Sequence, residues 1–140
     1  MTDSTAPTLT VGDIVAERTV HLTRESLVRY AGASGDFNPI HYRDDVAAEV
    51  GLPGVLAHGM LTMGIAVETI MPWLGDAGRI VEYGARFTRP VVVDAQDGAD
   101  LVIVAKVGAL DEDIARIDLT VTFADTAVLG KTQVRVRLGG

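Results

Sequence analysis

The sequence lacks cysteine altogether, and it has few basic residues. Without cysteine there can be no disulfide bond, no cysteine-ligated zinc site and no thiol nucleophile. The three histidines, His21, His41 and His58, are not spaced as an HxxxH or HExxH pair, so we expect no metal site. With 12 basic and 19 acidic residues, the formal net charge is -7. A nucleic-acid partner would require the opposite sign, and we expect none.

A membrane-spanning run and a targeting segment are also missing. The longest apolar stretch, residues 57–75, contains His58, Glu68 and Pro72, so it favours a buried helix over a membrane span. Residues 1–10 have no basic start and no apolar stretch, and we expect a flexible tail there. Residues 11–140 suffice for one domain. These features together predict a soluble, cytoplasmic protein.

The first half of the chain indicates one strand followed by helices. A strand is expected over 11–22, and Thr23 is typical of the N-cap of a helix that ends near Gly32 to Gly35. Asp44 and Asp45 suit the first turn of a short helix through Val50. A longer helix over roughly 59–74 has apolar residues on every face, which predicts burial on all sides.

The second half reads as antiparallel strands. Alternating or apolar segments lie at 79–89, 101–107, 114–123 and 131–138, separated by turn sequences. One face of the resulting sheet is apolar, and one apolar helix needs to be covered. The sequence therefore predicts an α+β fold in which an antiparallel sheet wraps around one long central helix.

Asp36 and His41 are the first candidates for catalysis. They flank a loop in which Pro39 prevents a helix and pushes Asn38 towards extended geometry. A carboxylate and an imidazole that share one water can add or remove water across a carbon–carbon double bond. The alternative is structural: Asp36 as an ordinary turn residue or cap, and His41 as a core histidine bonded to the backbone.

Gly59, which follows His58, is the second candidate. The first N–H groups of a helix have no partner within the helix and carry partial positive charge. A glycine lets a substrate carbonyl approach such a group, which suits a thioester whose oxygen gains charge as an enolate forms. Alternatively, Gly59 only permits tight packing. We expect His58 to orient the turn.

Three strings give a specific resemblance to a known family. YAGASGDFNPIH at 30–41 resembles the hydratase signature of the MaoC-like, or enoyl-CoA hydratase 2, family. AHGMLTMG at 57–64 is similar to the start of that family's central helix, and FTRPV at 87–91 to its strand before the second sheet turn. The similarity runs from about Val11 to Leu138. Within the family it is strongest to the catalytic, HadB-type subunits of mycobacterial (3R)-hydroxyacyl-ACP dehydratases.

The resemblance implies a hot-dog fold and the reversible hydration of trans-2-enoyl thioesters to (3R)-3-hydroxyacyl thioesters, in type II fatty acid synthesis. It places Asp36 and His41 on the catalytic pair, Gly59 on the backbone donor to the thioester carbonyl, and Asn38 on the motif asparagine. No metal or organic cofactor is implied. The implied partners are an acyl thioester of ACP or CoA, and a second hot-dog subunit in a homodimer or heterodimer. The loop 95–100 is longer than the family's tight turn.

Basic residues near the end of the chain suggest how an acidic carrier is held. Alternation places several of them on one strand face, with two further arginines as possible neighbours, which would give an acidic chain a local basic patch. The alternative is an ordinary solvated strand face. The residues concerned are Arg86, Arg89, Lys131, Arg135 and Arg137.

Two other functions share the expected fold. A hot-dog thioesterase would cleave the same thioester with water, but it would usually carry an acidic residue on the central helix. Here Glu68 comes well after the start of that helix. A non-catalytic partner subunit of a dehydratase should lack the Asp/His pair, whereas this chain contains both Asp36 and His41.

Overall fold

The protein was analysed as a computed structural model that describes residues 8–139. Its helices are α1 (Arg24–Ser34), α2 (Asp44–Glu49), α3 (Gly59–Glu68) and α4 (Met71–Leu74), with short 3₁₀ helices at Pro39–His41 and Ala77–Arg79. Its strands are β1 (Ile14–Leu22), β2 (Ile80–Phe87), β3 (Ala99–Asp111), β4 (Ile114–Phe123), β5 (Thr126–Ala127) and β6 (Leu129–Arg137). The predicted order, one strand and then helices followed by strands, is confirmed.

The strands form one antiparallel sheet in the order β1-β3-β4-β6-β2, with β5 paired to β4. The long hairpin of β3 and β4 is the centre of the sheet, with a register from Leu101 opposite Phe123 to Asp111 opposite Ile114. β1 and β2 are the two edges. A central hairpin supported on both sides gives the sheet one continuous face on which apolar side chains can meet.

The hydrophobic core lies between that face and α3. Ile103, Ile117 and Val134, from three neighbouring strands, are fully buried. Ile65 and Ala66 of α3 belong to the same cluster. The alternation expected for β4 and β6 is confirmed, because the residues predicted to face inward are buried, except that Phe123 and Leu138 at the strand ends are only partly buried. The buried residues are Ala115, Ile117, Leu119, Val121, Thr132, Val134 and Val136. The α+β arrangement predicted from the sequence is therefore the one observed.

The central helix is shorter than predicted. The sequence suggests one helix over 59–74, whereas α3 ends at Glu68 and α4 begins at Met71. Proline has no N–H to donate, and its ring clashes with the carbonyl four residues earlier. For Pro72 that carbonyl belongs to Glu68, which is where α3 ends.

The prediction that this helix is buried on every face is wrong for the single chain. The sheet covers one side of α3, where Thr62, Ile65 and Ala66 are buried. Met60, Gly64 and Glu68, spaced four residues apart, are exposed on the other side. The isolated chain therefore leaves one partly apolar helix face uncovered.

Of the tail expected over 1–10, residues 1–7 lie outside the described residues, and residues 8–10 have contacts with the folded domain. Leu9 packs against the core. The Thr10 N–H donates to the Asp13 carboxylate at 2.9 Å, and the Gly12 N–H donates to the Val107 carbonyl at 2.8 Å. Contacts with the folded domain are thus present before Val11.

The loop expected to be long, at 95–100, is a tight turn. Asp94 and Gly98 exchange two backbone hydrogen bonds of 3.2 and 3.0 Å, and β3 already includes Ala99. The Asp94 carboxylate accepts from the N–H groups of Gln96 and Asp97, which closes the turn. Among the described residues no helix is long and apolar enough to cross a membrane.

Ile117→Ala tests the core. Ile117 is fully buried in the centre of β4, so its truncation should leave a cavity and lower the free energy of unfolding by about 2–5 kcal/mol. The matched control is Thr120→Ala on the exposed face of the same strand, which should cost less than about 1 kcal/mol. Urea unfolding of both variants measures the difference, and equal losses would contradict the assignment of faces.

Tyr83→Phe tests how α3 is held on the sheet. The Tyr83 hydroxyl donates to the Met63 carbonyl at 2.5 Å, and burial raises the pKa of Tyr83 to about 12. Its pKa in the unfolded chain is about 10. The neutral Tyr83 hydroxyl therefore contributes fully to the free energy of unfolding below about pH 10, and this contribution is lost as the pH rises towards about 12. In urea unfolding across this window the free energy should fall less steeply for Tyr83→Phe than for wild type. Parallel pH profiles would contradict the burial of this hydroxyl.

Candidate active site

The loop that carries Asp36 is folded by its own polar side chains. α1 ends at Ser34 and is capped by Gly35, whose φ of 78° is a left-handed conformation that favours glycine. Ser34 Oγ then accepts from the Asp36 N–H at 3.1 Å, Asp36 Oδ1 from the Asn38 N–H at 3.2 Å, and Asn38 Oδ1 from the Ile40 N–H at 3.2 Å. Such side chain to backbone bonds stabilise turns. One carboxylate oxygen of Asp36 is thereby committed to the loop, and Oδ2 is left for other partners.

His41 is held in one tautomer by a backbone carbonyl. Its Nδ1 lies 2.7 Å from the Leu56 carbonyl oxygen. A carbonyl only accepts hydrogen bonds, so Nδ1 carries the proton and the neutral ring has a free lone pair on Nε2. That Nε2 lies 3.9 Å from Asp36 Oδ2. The His41 side chain is 10% exposed and that of Asp36 is 51% exposed, so the pair spans the boundary between the interior and solvent.

His58 contacts both members of this pair from the buried side. Its ring is stacked on the His41 ring, with centroids 3.8 Å apart and an interplanar angle of 21°. The Tyr30 ring packs edge-on against the His58 ring, with centroids 4.7 Å apart. His58 Nε2 donates to the Asp36 carbonyl at 3.1 Å, whereas Nδ1 is buried with no partner among the described residues. Burial is the main cause that lowers the pKa of His58.

Gly59 begins α3 immediately after His58. Within residues 8–139 the Gly59 N–H has no acceptor, and the His58 side chain makes no capping bond. A Cβ at position 59 would lie 3.0 and 3.1 Å from two ring atoms of Phe87. The glycine therefore has two local effects: it leaves a helix N–H available, and it makes room for the Phe87 ring.

These residues line one cavity of about 510 Å³. Asp36, His41, His58 and Gly59 lie on one side of it. The remainder of the wall is largely apolar and comes from the start of α3, the segment after β2 and the segment before β6: Leu56, Ala57, Met60, Thr62, Phe87, Thr88, Arg89, Pro90, Val91, Val128 and Leu129. The cavity combines a small polar cluster with an apolar wall, which is typical of a site for a small ligand with an apolar portion.

The structure thus brings together four of the five central residues predicted from the sequence. Asn38 is the exception, because its side chain bonds within the loop and does not line the cavity. Sequence reasoning missed the Tyr30 ring, the Phe87 ring and the Leu56 carbonyl. Tyr30 and Phe87 were within reach, since they open the YAGASGDFNPIH and FTRPV strings. A backbone carbonyl carries no signal in a sequence.

The basic residues predicted to form one patch differ in their surroundings. Arg89 lines the cavity. Arg86 is exposed opposite Gly130, and Lys131 is exposed at the adjacent irregularity of β6, with a φ of 45°. Within the described residues, none of these three cations has a carboxylate within 4 Å. They lie near the strand ends that border the cavity.

The other two basic residues have local partners. Arg135 Nε lies 3.9 Å from a carboxylate oxygen of Glu82 on the neighbouring strand. Arg137 donates to the Gly78 carbonyl at 3.0 Å. The structure therefore separates Arg135 and Arg137 from the cations at the cavity.

Asp36, His41 and His58 are close enough together to be considered as metal ligands, with one donor atom from each lying within 4.8 Å of the others. One nitrogen of each histidine, however, is bonded to a backbone carbonyl. The free lone pairs lie in the planes of two stacked rings whose centroids are 3.8 Å apart and whose planes differ by 21°. Such lone pairs converge on one ion only if a ring turns and gives up its carbonyl. The geometry favours an acid–base pair over a metal centre.

Comparison with known proteins agrees with this fold. The family model described as "MaoC like domain" matches residues 8–128. "3-hydroxyacyl-thioester dehydratase X" of Mycobacterium tuberculosis is 38% identical over 79 residues, which are 56% of this chain and 27% of that protein. A solved "MaoC-like dehydratase" superposes with a TM-score of 0.90 at 36% identity, covering 94% of this chain and 41% of that one.

A second solved structure, the R-hydratase PhaJ1 of Pseudomonas aeruginosa, has a TM-score of 0.79 at 29% identity and covers 94% of this chain and 84% of its own. The HadBC (3R-hydroxyacyl-ACP dehydratase) complex of Mycobacterium tuberculosis, at 20% identity and a TM-score of 0.68, shares the fold. The chain spans 27% and 41% of the lengths of the first two relatives. Its hot-dog fold and the match over 8–128 show that it belongs to the MaoC-like domain family.

Proposed function

We propose that this chain catalyses the reversible hydration of trans-2-enoyl thioesters to (3R)-3-hydroxyacyl thioesters. We assign this reaction to fatty acid metabolism, and within it to type II fatty acid synthesis. The observation that carries the proposal is the pair formed by Asp36 Oδ2 and His41 Nε2, 3.9 Å apart at the cavity that Gly59 also lines. The expected cytoplasmic location stays a prediction.

The pair suits the activation of water. Asp36 Oδ2 and the Nε2 of neutral His41 are both acceptors, so one water between them can donate a hydrogen bond to each. In hydration the water oxygen bonds to the β-carbon, one of its protons is taken by the pair, and a proton is delivered to the α-carbon. Because the two groups share protons, the pair acts as one acid–base unit.

Gly59 supplies the charge stabilisation. As the β-carbon is attacked, electron density moves to the thioester oxygen, and the free N–H at the start of α3 can donate to it. Backbone donors of this type are fixed in place before the reaction and strengthen as charge develops. In this proposal the reaction therefore uses the chain's own groups and no metal or organic cofactor.

The two alternative functions are less well supported. The acidic residue of α3, Glu68, is exposed at the end of the helix and does not line the cavity, which argues against a thioesterase that uses it. A non-catalytic subunit should lack the Asp/His pair, yet Asp36 and His41 face each other here. Incubation with crotonyl-CoA separates the functions: loss of the enoyl absorbance indicates hydration, and release of free thiol indicates hydrolysis.

We also propose that this chain pairs with a second hot-dog subunit, either identical or related. The edge strand β2 exposes Val81 and Phe87, and α3 exposes Met60, so an apolar surface remains next to an unpaired strand edge. The HadBC structure, which shares the fold, is a complex. We propose that a partner covers this surface.

Asp36→Asn and His41→Ala test the acid–base pair. Each change removes one proton acceptor, and each should lower the rate of crotonyl-CoA hydration by about 10²- to 10⁴-fold. The double variant should lose little more than either single variant, because the two groups serve one water. Steady-state kinetics and thermal unfolding of all three variants measure this. Additive losses in folded variants would show that the residues do not act as a unit.

Gly59→Ala and Gly59→Pro test the backbone donor. Alanine keeps the N–H but displaces the Phe87 ring, so a partial loss of kcat is expected. Proline removes the N–H, and kcat should fall by about 10²- to 10³-fold. The proline variant should fold, because position 59 opens the helix and His58 already has extended angles of -61° and 132°. A folded proline variant with most of its activity would rule out the donor role.

Arg86→Glu and Lys131→Glu test recognition of the carrier. Each cation lies on a strand that also contributes a residue to the cavity wall, Phe87 of β2 or Leu129 of β6, and neither has a carboxylate partner in the described part of the chain. We propose that they meet the phosphates of an acyl carrier. The double variant should raise the KM for crotonyl-CoA about tenfold and leave the KM for a phosphate-free N-acetylcysteamine thioester unchanged. Lys106→Glu is the control, because Lys106 is an exposed cation on β3 that also has no carboxylate within 4 Å among the described residues and does not line the cavity. Equal effects on both substrates would contradict the proposal.

A further inference from the structure

His58 is the residue that touches every part of the proposed catalytic group. Its Nε2–H bonds to the backbone carbonyl of Asp36, and its ring stacks on the ring of His41. It also precedes Gly59 as the N-cap of α3. Three groups from separate elements of the chain therefore meet at one side chain that is 1% exposed.

Packing alone does not account for a histidine at this position. Its Nδ1 is buried with no partner among residues 8–139, which is unfavourable for any polar atom. A phenylalanine would fill a similar flat space between Tyr30 and His41 without leaving a polar atom unpaired. The property that phenylalanine lacks is the N–H directed at the Asp36 carbonyl.

We infer that His58 is a positioning residue, which as a neutral imidazole holds the Asp36 loop and the His41 ring in register with each other. The inference rests on the proposed hydratase function and deepens it. Asp36 is half-exposed in a loop, so its distance from His41 depends on what anchors its backbone. The hydrogen bond from His58 to the Asp36 carbonyl provides that anchor, and the stacking of His58 on His41 fixes the anchor relative to the His41 ring.

The neutral state of His58 matters because a charged ring would oppose the mechanism. When His41 holds the proton taken from water, a second cation stacked 3.8 Å away would repel it. Burial lowers the pKa of His58, with the charge of His41 acting in the same direction and the Asp36 carbonyl and carboxylate acting in the opposite direction. Tyr30 is the other titratable group in contact with the ring.

Two substitutions separate the two contacts. His58→Phe keeps the ring and the stack but removes the N–H donor. His58→Gln keeps an N–H at about the position of Nε2 but removes the stack. A small displacement of a catalytic group can cost about 10²-fold in rate. We therefore expect kcat for crotonyl-CoA to fall about 10²-fold in His58→Phe and about tenfold in His58→Gln, with little change in KM.

The control for lost packing is Ile70→Val, a buried core residue that does not line the cavity. It should lower the melting temperature and leave kcat unchanged. A purely structural role for His58 predicts the same pattern for His58→Phe. A folded His58→Phe with kcat within about twofold of wild type would therefore overturn the inference.

Nitrogen NMR of the histidine rings in the wild-type chain tests the inference without any assay or variant. His58 should be neutral at pH 7 with its proton on Nε2, and His41 should carry its proton on Nδ1. A charged His58, or one with its proton on Nδ1, would overturn the inference even if the enzyme is active. Absence of hydratase activity with the expected tautomers would instead count against the proposed function alone.

Discussion

The hydrogen bond from His41 to the Leu56 carbonyl is the interaction on which the site depends. Residues 55–57 are themselves fixed on two sides, because the Leu56 N–H donates to the Ile40 carbonyl and the Ala57 N–H to the Val91 carbonyl. The same short segment leads directly into His58 and the start of α3. One extended stretch of backbone thus fixes the tautomer of one histidine, the position of another and the origin of the central helix.

Most of the fold could be predicted from the sequence because its signals are local. Thr23 is the N-cap of α1 with a complete capping box, and the alternation of β4 reproduces the observed faces. The predictions that are wrong concern features that depend on tertiary contacts, which a local sequence pattern does not show. An apolar helix looks buried all round, but a single sheet covers only one side of it. The turn at Asp94 looked long because its closure depends on side chain to backbone bonds that a turn signal does not reveal.

The residues of the candidate site could be predicted from the sequence, but the contacts between them could not. The spacing of Asp36 and His41 around Pro39 placed two chemically matched groups in one loop, and the loop is short enough to bring them together. The stack of His58 on His41 joins positions 17 residues apart through packing, which no spacing rule describes. The basic residues show the reverse: alternation puts Arg135 on the expected face, yet Glu82 on the adjacent strand already engages it.

The contact between Gly59 and Phe87 has a consequence for how this site can change over time. The Phe87 ring occupies the space that a side chain at position 59 would need, so the two positions share one volume. A methyl group at 59 would require the exposed ring at 87 to shift by a few tenths of an ångström, and a longer side chain would require a larger shift. Among descendants of a common ancestor, the residues at these two positions should therefore vary together.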